Sequence, residues 1–150
     1  MTTALHVTFR VGTADYALPA TQVLHLESYD GATHVPGAPS YVAGLVQVRG
    51  RLVPVIDLRS RFGLQPEPHS IDHRVVVVQA GERVVGLLVD SAREVIRIDP
   101  SAFERPPEVI EHQSAGFVKA VATIATRLFL LVDVPRIIGE ELSHDEHDHR

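Results

Sequence analysis

The fold is decided by the stretch Val46-Gln-Val-Arg-Gly-Arg-Leu-Val-Pro-Val-Ile-Asp-Leu58, in which two apolar, β-branched runs flank a short Arg-Gly turn. Two such runs around two turn residues predict a β-hairpin. The pattern returns as Ala122-Thr-Ile-Ala-Thr-Arg-Leu-Phe-Leu-Leu-Val-Asp-Val134, where Asp133 takes the place of Asp57. We therefore expect the same kind of hairpin twice in the chain.

A weaker repeat extends this duplication towards the start of the chain, because Gly12–Leu18 can be written above Gly81–Leu87. The sequence thus predicts two similar β units, at about residues 5–63 and 74–133. The polar, proline-bearing segment Leu64–Ser70 between them is predicted to be a connector. Each unit is too small to be comfortably stable alone, so we expect the two to pack as one domain with a groove between them.

The apolar pattern as a whole predicts an all-β protein. Apolar and polar residues alternate from Leu5 to Val11, which is the period of a half-buried strand. Further short apolar runs, separated by glycine, proline or charged residues, continue to Val134, as in sandwiches and small barrels. One short helix is predicted at about residues 135–142, because proline suits a first helical position and the apolar residues that follow share a face.

The composition narrows the class of partner. The chain has 150 residues, with 19 acidic and 14 basic side chains and a formal net charge of −5, which argues against nucleic acid or anionic lipid as the main partner. It has no cysteine, so disulfides and thiolate metal sites are excluded. The first residues lack the pattern of a signal peptide, and no apolar run approaches the roughly 18 residues of a membrane span. We expect a cytoplasmic protein without direct membrane insertion.

Few residues have the pattern of a catalytic site. Asp57 and Asp133 follow apolar strands, as a phosphoacceptor aspartate does, but a receiver domain needs alternating strands and helices. We expect both side chains to accept hydrogen bonds from turn amides instead. The serines lack a Gly-x-Ser-x-Gly elbow, and no glycine-rich phosphate loop is present. The sequence therefore predicts neither catalytic residues nor a cofactor site.

The histidines do not predict a functional metal site. The terminal residues 143–150 carry three of them beside carboxylates that could bind Zn or Ni ions weakly, but a polar terminus of this kind is expected to be disordered. The other histidines are scattered without metal-ligand spacing: His6, His25, His34, His69, His73 and His112.

A long segment, Val42–Arg59, resembles the signature stretch of CheW-like domains, and Pro36–Val42 and Val84–Asp90 resemble its neighbours in that family. The resemblance runs from about Leu5 to Leu142. It implies two small five-stranded SH3-like β-barrels packed side by side with a short C-terminal helix. On this basis residues 1–142 are expected to form one CheW-like domain, followed by the tail.

The resemblance also implies a function without catalysis. CheW-like adaptors bind the regulatory domain of a CheA-type histidine kinase, itself CheW-like, and the cytoplasmic tip of chemoreceptors in bacterial chemotaxis. Such a protein is cytoplasmic and is recruited to receptor arrays at the membrane. The sequence leaves open a CheW-like interaction module for another kinase pathway, such as type IV pilus motility or second-messenger control.

Six residues match positions that the family uses for its partners, or lie close to such positions. The resemblance implies that three of them take part in coupling to partners: Gly44, Arg49 and Gly50. Val75 and Val95 match positions near the groove where the receptor helix is thought to lie, and His25 stands where many members carry glutamate. Structural alternatives stay open, since the glycines can serve sharp turns, the valines can be core, and Arg49 can be a solvated turn cation.

Overall fold

The computed structural model describes residues 4–139, most of them in two β-sheets. The strands are β1 (Ala4–Val11), β2 (Ala14–Pro19), β3 (Val23–Ser28), β4 (Val42–Val48), β5 (Arg51–Asp57), β6 (Arg74–Ala80), β7 (Arg83–Val89), β8 (Ser91–Ile98), β9 (Phe103–Glu104), β10 (Val118–Ile124) and β11 (Arg127–Val132).

Helices are short. The structure adds two that the sequence did not predict, α1 (Leu58–Arg61) and α2 (Glu108–Gln113). Residues 134–139 are also helical, so the predicted C-terminal helix is present and begins one residue earlier than expected. The rest of that prediction and the tail 143–150 lie outside the described residues. None of the helices among residues 4–139 is long and apolar enough to cross a membrane.

The predicted pair of small β-barrels is confirmed. One sheet has the order β3-β6-β7-β5-β4, and the other has the order β8-β1-β2-β11-β10 with the two-residue β9 as a sixth strand. The segment that follows the outer strand β3 is bridged to the other outer strand, β4, where Thr33 and Leu45 exchange backbone hydrogen bonds of 2.8 Å. We call the two sheets the five-stranded and the six-stranded barrel.

The two barrels do not coincide with the two units predicted from the sequence. Hairpin β1–β2 belongs to the first unit but lies in the six-stranded barrel, and hairpin β6–β7 belongs to the second but lies in the five-stranded barrel. The chain crosses between barrels twice, at Ala20–Gln22 and at Asp90. As a result, each barrel contains a parallel pair formed by strands of different units: β2 pairs with β11, and β7 pairs with β5.

Equivalent backbone contacts recur in the two barrels. Val55 pairs with Gly86 in one, and Leu131 pairs with Ala17 in the other, as the two repeats in the sequence would align them. The amide of Asp57 donates to the carbonyl of Tyr41, and that of Asp133 donates to the carbonyl of Phe117, both at 2.8 Å. The duplication therefore appears as two barrels that have exchanged hairpins.

The largest apolar core lies between the barrels, because strands of both contribute to it. Phe9 and Leu18 come from the six-stranded barrel, and Val76 and Leu87 come from the five-stranded one. Each barrel also has its own small core, formed by Val48, Val53, Val55, Val75 and Val77 in one and by Ala17, Phe129 and Leu131 in the other. The groove expected between the barrels is thus filled along much of its length by core side chains. We call its outer edge the mouth of the cleft.

Candidate partner-binding surfaces

The six-stranded barrel presents two apolar side chains at the mouth of this cleft. Val95 on β8 lies opposite Val7 on β1, and directly opposed residues of antiparallel strands share a sheet face. Val7 in turn shares its strand face with Phe9, which lies in the core between the barrels. Leu5 is on the same face, so Leu5 and Val95 both point towards the neighbouring barrel while remaining 43% and 56% exposed.

The five-stranded barrel contributes two further exposed apolar side chains, both from strand β3. Leu26 lies opposite Val76, a member of the core between the barrels, and Leu24 precedes it by two residues. Both leucines are 40% exposed or more. Only the turn Ala20–Gln22 separates β3 from the six-stranded barrel, so β3 begins beside the cleft. We call Leu5, Leu24, Leu26 and Val95 the cleft patch.

Arg49 occupies the turn between β4 and β5 and is open to solvent. Arg49 and Gly50 have φ values of 52° and 80°, and a type I′ hairpin turn requires positive φ at both central residues. The arginine side chain is 68% exposed and its Nε donates to Glu27 Oε2 at 3.3 Å. Ala125 adopts a similar φ of 58° in the other barrel, so the turn does not need arginine.

His25 lies on the same strand as Glu27, the ion-pair partner of Arg49. His25 and Glu27 are two apart on β3 and therefore project to the same face, opposite to that of Leu26. Glu27 is the residue of this pair that contacts Arg49. We call His25, Glu27 and Arg49 the turn surface.

The two glycines predicted at the partner site have different structural roles. Gly44 has a φ of 145°, and a Cβ at this position would overlap the carbonyl oxygen of Thr33. Gly50 also has positive φ, but no atom would lie within 4 Å of its Cβ. Gly44 therefore maintains the contact that brings the barrel ends together, whereas Gly50 only serves the turn.

Val75 does not lie at the cleft. It is 1% exposed and packs inside the five-stranded barrel with residues such as Val53 and Val77. Its neighbour Val76 is the residue that faces the other barrel, because successive strand residues point to opposite faces. The core interpretation that the sequence left open for Val75 is the one that fits the structure.

The two strand-end aspartates cap helices. Asp57 Oδ1 accepts a hydrogen bond of 3.0 Å from the amide of Arg59, and Asp133 Oδ1 accepts one of 3.2 Å from the amide of Arg136. This confirms the prediction that both carboxylates bond to backbone amides after their strands.

An ion network at the connector was not predicted from the sequence. Arg59 donates from Nε and from an Nη to the two carboxylate oxygens of Asp90, both at 2.8 Å. Arg59 also forms an ion pair with Glu67. Asp90 also accepts from the amide of Gly12 at 2.7 Å, and Glu67 meets His73 at 3.0 Å. Burial raises the pKa of Asp90, but the hydrogen bonds from Arg59 and Gly12 outweigh it and lower the pKa below its usual value. The network joins the connector to both barrels.

Comparison with known proteins agrees with this architecture. Residues 5–142 match the CheW-like domain family. The chemotaxis protein CheW of Helicobacter pylori is 35% identical over 89% of this chain and 80% of its own, and that of Bacillus subtilis is 30% identical over 91% and 88%.

A solved structure is similar as well. The crystal structure of the scaffolding protein TtCheW from Thermoanaerobacter tengcongensis matches with a TM-score of 0.84 and 28% identity, covering 92% of this chain and 93% of that one. With the family match over nearly the whole chain, these likenesses show that the protein belongs to the CheW-like domain family.

Proposed function

We propose that this protein is a non-catalytic adaptor that couples chemoreceptors to a CheA-type histidine kinase in chemotaxis. Family membership supports the adaptor role, since a relative of similar structure is described as a scaffolding protein. The two relatives named above are chemotaxis proteins, which favours chemotaxis as the pathway. The protein would act in the cytoplasm at membrane receptor arrays.

The cleft patch is the observation that carries this proposal. Single exposed apolar side chains are ordinary on a protein surface, but several beside one cleft are typical of a binding site. Leu24 and Leu26 come from one barrel and Leu5 and Val95 from the other, so the patch forms only where the barrels meet. An amphipathic helix places an apolar stripe into such a groove. We assign the receptor tip, which is expected to be helical, to this patch.

The turn surface suits a second partner. Leu26 and Glu27 are consecutive on β3 and point to opposite faces, so the cleft patch and the turn surface are separate. Arg49 is held by one exposed ion pair, and such pairs contribute at most about 1 kcal/mol. Its guanidinium can therefore leave Glu27 for a partner carboxylate, to which arginine can make two parallel hydrogen bonds. We assign the kinase regulatory domain to the turn surface.

The absence of catalysis in this proposal is supported by the two strand-end aspartates. Asp57 and Asp133 each have an oxygen bonded to a backbone amide at a helix start, which is a structural use of the carboxylate.

Arg49→Ala tests the assignment of the kinase to the turn surface. The free energy of unfolding of this variant should lie within about 0.5 kcal/mol of the parent's, because the side chain is exposed and Ala125 already adopts this turn conformation. Its binding to the kinase regulatory domain should weaken by at least about 1 kcal/mol, and that of Arg49→Glu by more. Calorimetric titration measures the binding, and a thermal melt measures the stability.

Arg105→Ala is the matched control, since Arg105 is exposed on the segment between β9 and α2. It should bind the kinase domain as the parent does. If both Arg49 variants bind every partner as tightly as the parent, Arg49 is a solvated turn residue. If Arg49→Ala unfolds, the residue is structural and its assignment fails.

A further inference from the structure

The connector covers a small polar pocket that the proposed adaptor role does not use. Its volume is about 220 Å³, and most of its lining residues come from β5, α1, β7 and the segment 66–73, which contains most of the connector. The side chains that can ligate or carry charge are Asp57, Arg59, Glu67, His69, His73 and Asp90. No motif in the sequence indicates this cluster, because its members are spread over more than thirty positions.

Three of these side chains present ligand atoms to one point. A carboxylate oxygen of Glu67, an imidazole nitrogen of His73 and a carboxylate oxygen of Asp90 all lie within 4.8 Å of one another. The closest pair, Glu67 Oε1 and His73 Nε2, is 3.0 Å apart. Two ligands of one tetrahedral ion at about 2.0–2.1 Å from the metal stand roughly 3.3 Å apart, so small rotations suffice.

A fourth donor lies beside them. The ring of His69 is 6.0 Å from that of His73, centre to centre, and is exposed enough to rotate. His69 belongs to the connector and His73 immediately precedes β6, whereas Asp90 lies between β7 and β8. An ion bound by these residues would therefore attach the connector to the barrels.

The charges of the pocket favour a doubly charged cation. Asp57, Glu67 and Asp90 bring three negative charges and Arg59 brings one positive charge, which leaves an excess of two negative charges when the histidines are neutral. Arg59 does not prevent ion binding, because a carboxylate has about four acceptor sites and Asp90 can bond the guanidinium and an ion together. Carboxylate ligands of metals are commonly held by such hydrogen bonds.

We propose that this pocket is a site for a divalent transition-metal ion of the Zn²⁺ class, with Glu67, His73 and Asp90 as ligands and His69 as the fourth. Imidazole and carboxylate together suit zinc and nickel, whereas magnesium and calcium prefer oxygen ligands alone. The ion fixes the connector against both barrels.

The test must separate this pocket from the terminal histidines, which can also bind metal. The starting protein is the full chain with His144, His147 and His149 replaced by alanine, called the tail-silenced chain. Calorimetric titration with ZnCl₂ should show one ion per chain, and zinc should raise the melting temperature. Cobalt(II) should give visible absorption bands typical of bound nitrogen and oxygen ligands.

Variants of the tail-silenced chain identify the ligands. His73→Gln and Glu67→Gln should each weaken zinc binding at least about tenfold. Glu67 is exposed, so its variant should fold even if the one at His73 does not. His34→Ala is the matched control, since His34 is exposed and does not line the pocket, and it should bind zinc as before.

The proposal is overturned if the tail-silenced chain binds no zinc up to millimolar concentration. It is also overturned if Glu67→Gln leaves the affinity unchanged, or if Mg²⁺ binds as tightly as Zn²⁺, because the site would then be a carboxylate cluster. None of these measurements involves a partner protein, so they test the metal site independently of the proposed adaptor function.

Discussion

Gly44→Ala is expected to destabilise the protein by at least about 3 kcal/mol, because backbone strain and steric overlap act at the same position. Its φ of 145° lies in a region that only glycine adopts readily, and its Cβ would overlap the carbonyl oxygen of Thr33. That oxygen accepts the hydrogen bond of Leu45 that closes the five-stranded barrel. Relieving the overlap would therefore break the closure. Urea unfolding at neutral pH measures the loss.

Gly50→Ala is the matched control for this prediction. Gly50 also has positive φ but has open space around it, so only the conformational cost of about 1 kcal/mol is expected. If Gly44→Ala is as stable as the parent and binds partners less tightly, Gly44 is a contact residue and the structural account of it is wrong.

Val95→Asp is expected to weaken binding to a receptor cytoplasmic fragment at least about 30-fold, which corresponds to the roughly 2 kcal/mol of an interface hot spot. The substitution puts a charge into the cleft patch, where a receptor helix would bury it without a partner. Stability should change little, because Val95 is 56% exposed in the free protein. Calorimetric titration with the receptor fragment measures the effect.

Val109→Asp provides the control for Val95→Asp. Val109 is 60% exposed, but it belongs to α2 and not to the cleft patch. It should bind the receptor fragment as the parent does. Unchanged receptor binding by Val95→Asp would show that the receptor uses another surface.

The sequence predicts the local elements well and the way they combine poorly. Both copies of the signature hairpin, 46–58 and 122–134, form as predicted, since turn residues and strand period are local signals. The exchange of hairpins between the barrels was not predicted, because β2 must find β11 more than a hundred residues away. A repeat in sequence is compatible with either arrangement.

One further difference has an identifiable physical cause. Val75 was expected near the groove, but it faces the interior of the five-stranded barrel. Its neighbour Val76 faces the cleft side, because a shift of one residue along a strand changes the face.

The metal pocket lies beyond sequence reasoning for a similar reason. The connector was predicted to be a plain linker from its proline and polar residues. Glu67 in the connector and His73 just after it become candidate ligands only because the fold places Asp90 and Arg59 beside them.

The central claim is that one chain holds a receptor and a kinase at the same time through separate surfaces. Sedimentation velocity of the chain mixed with a receptor cytoplasmic fragment and the kinase regulatory domain tests this most directly. The account predicts one complex that contains all three, from which Val95→Asp removes only the receptor fragment and Arg49→Glu only the kinase domain. If the receptor fragment instead displaces the kinase domain, the two partners share one surface and the account is contradicted.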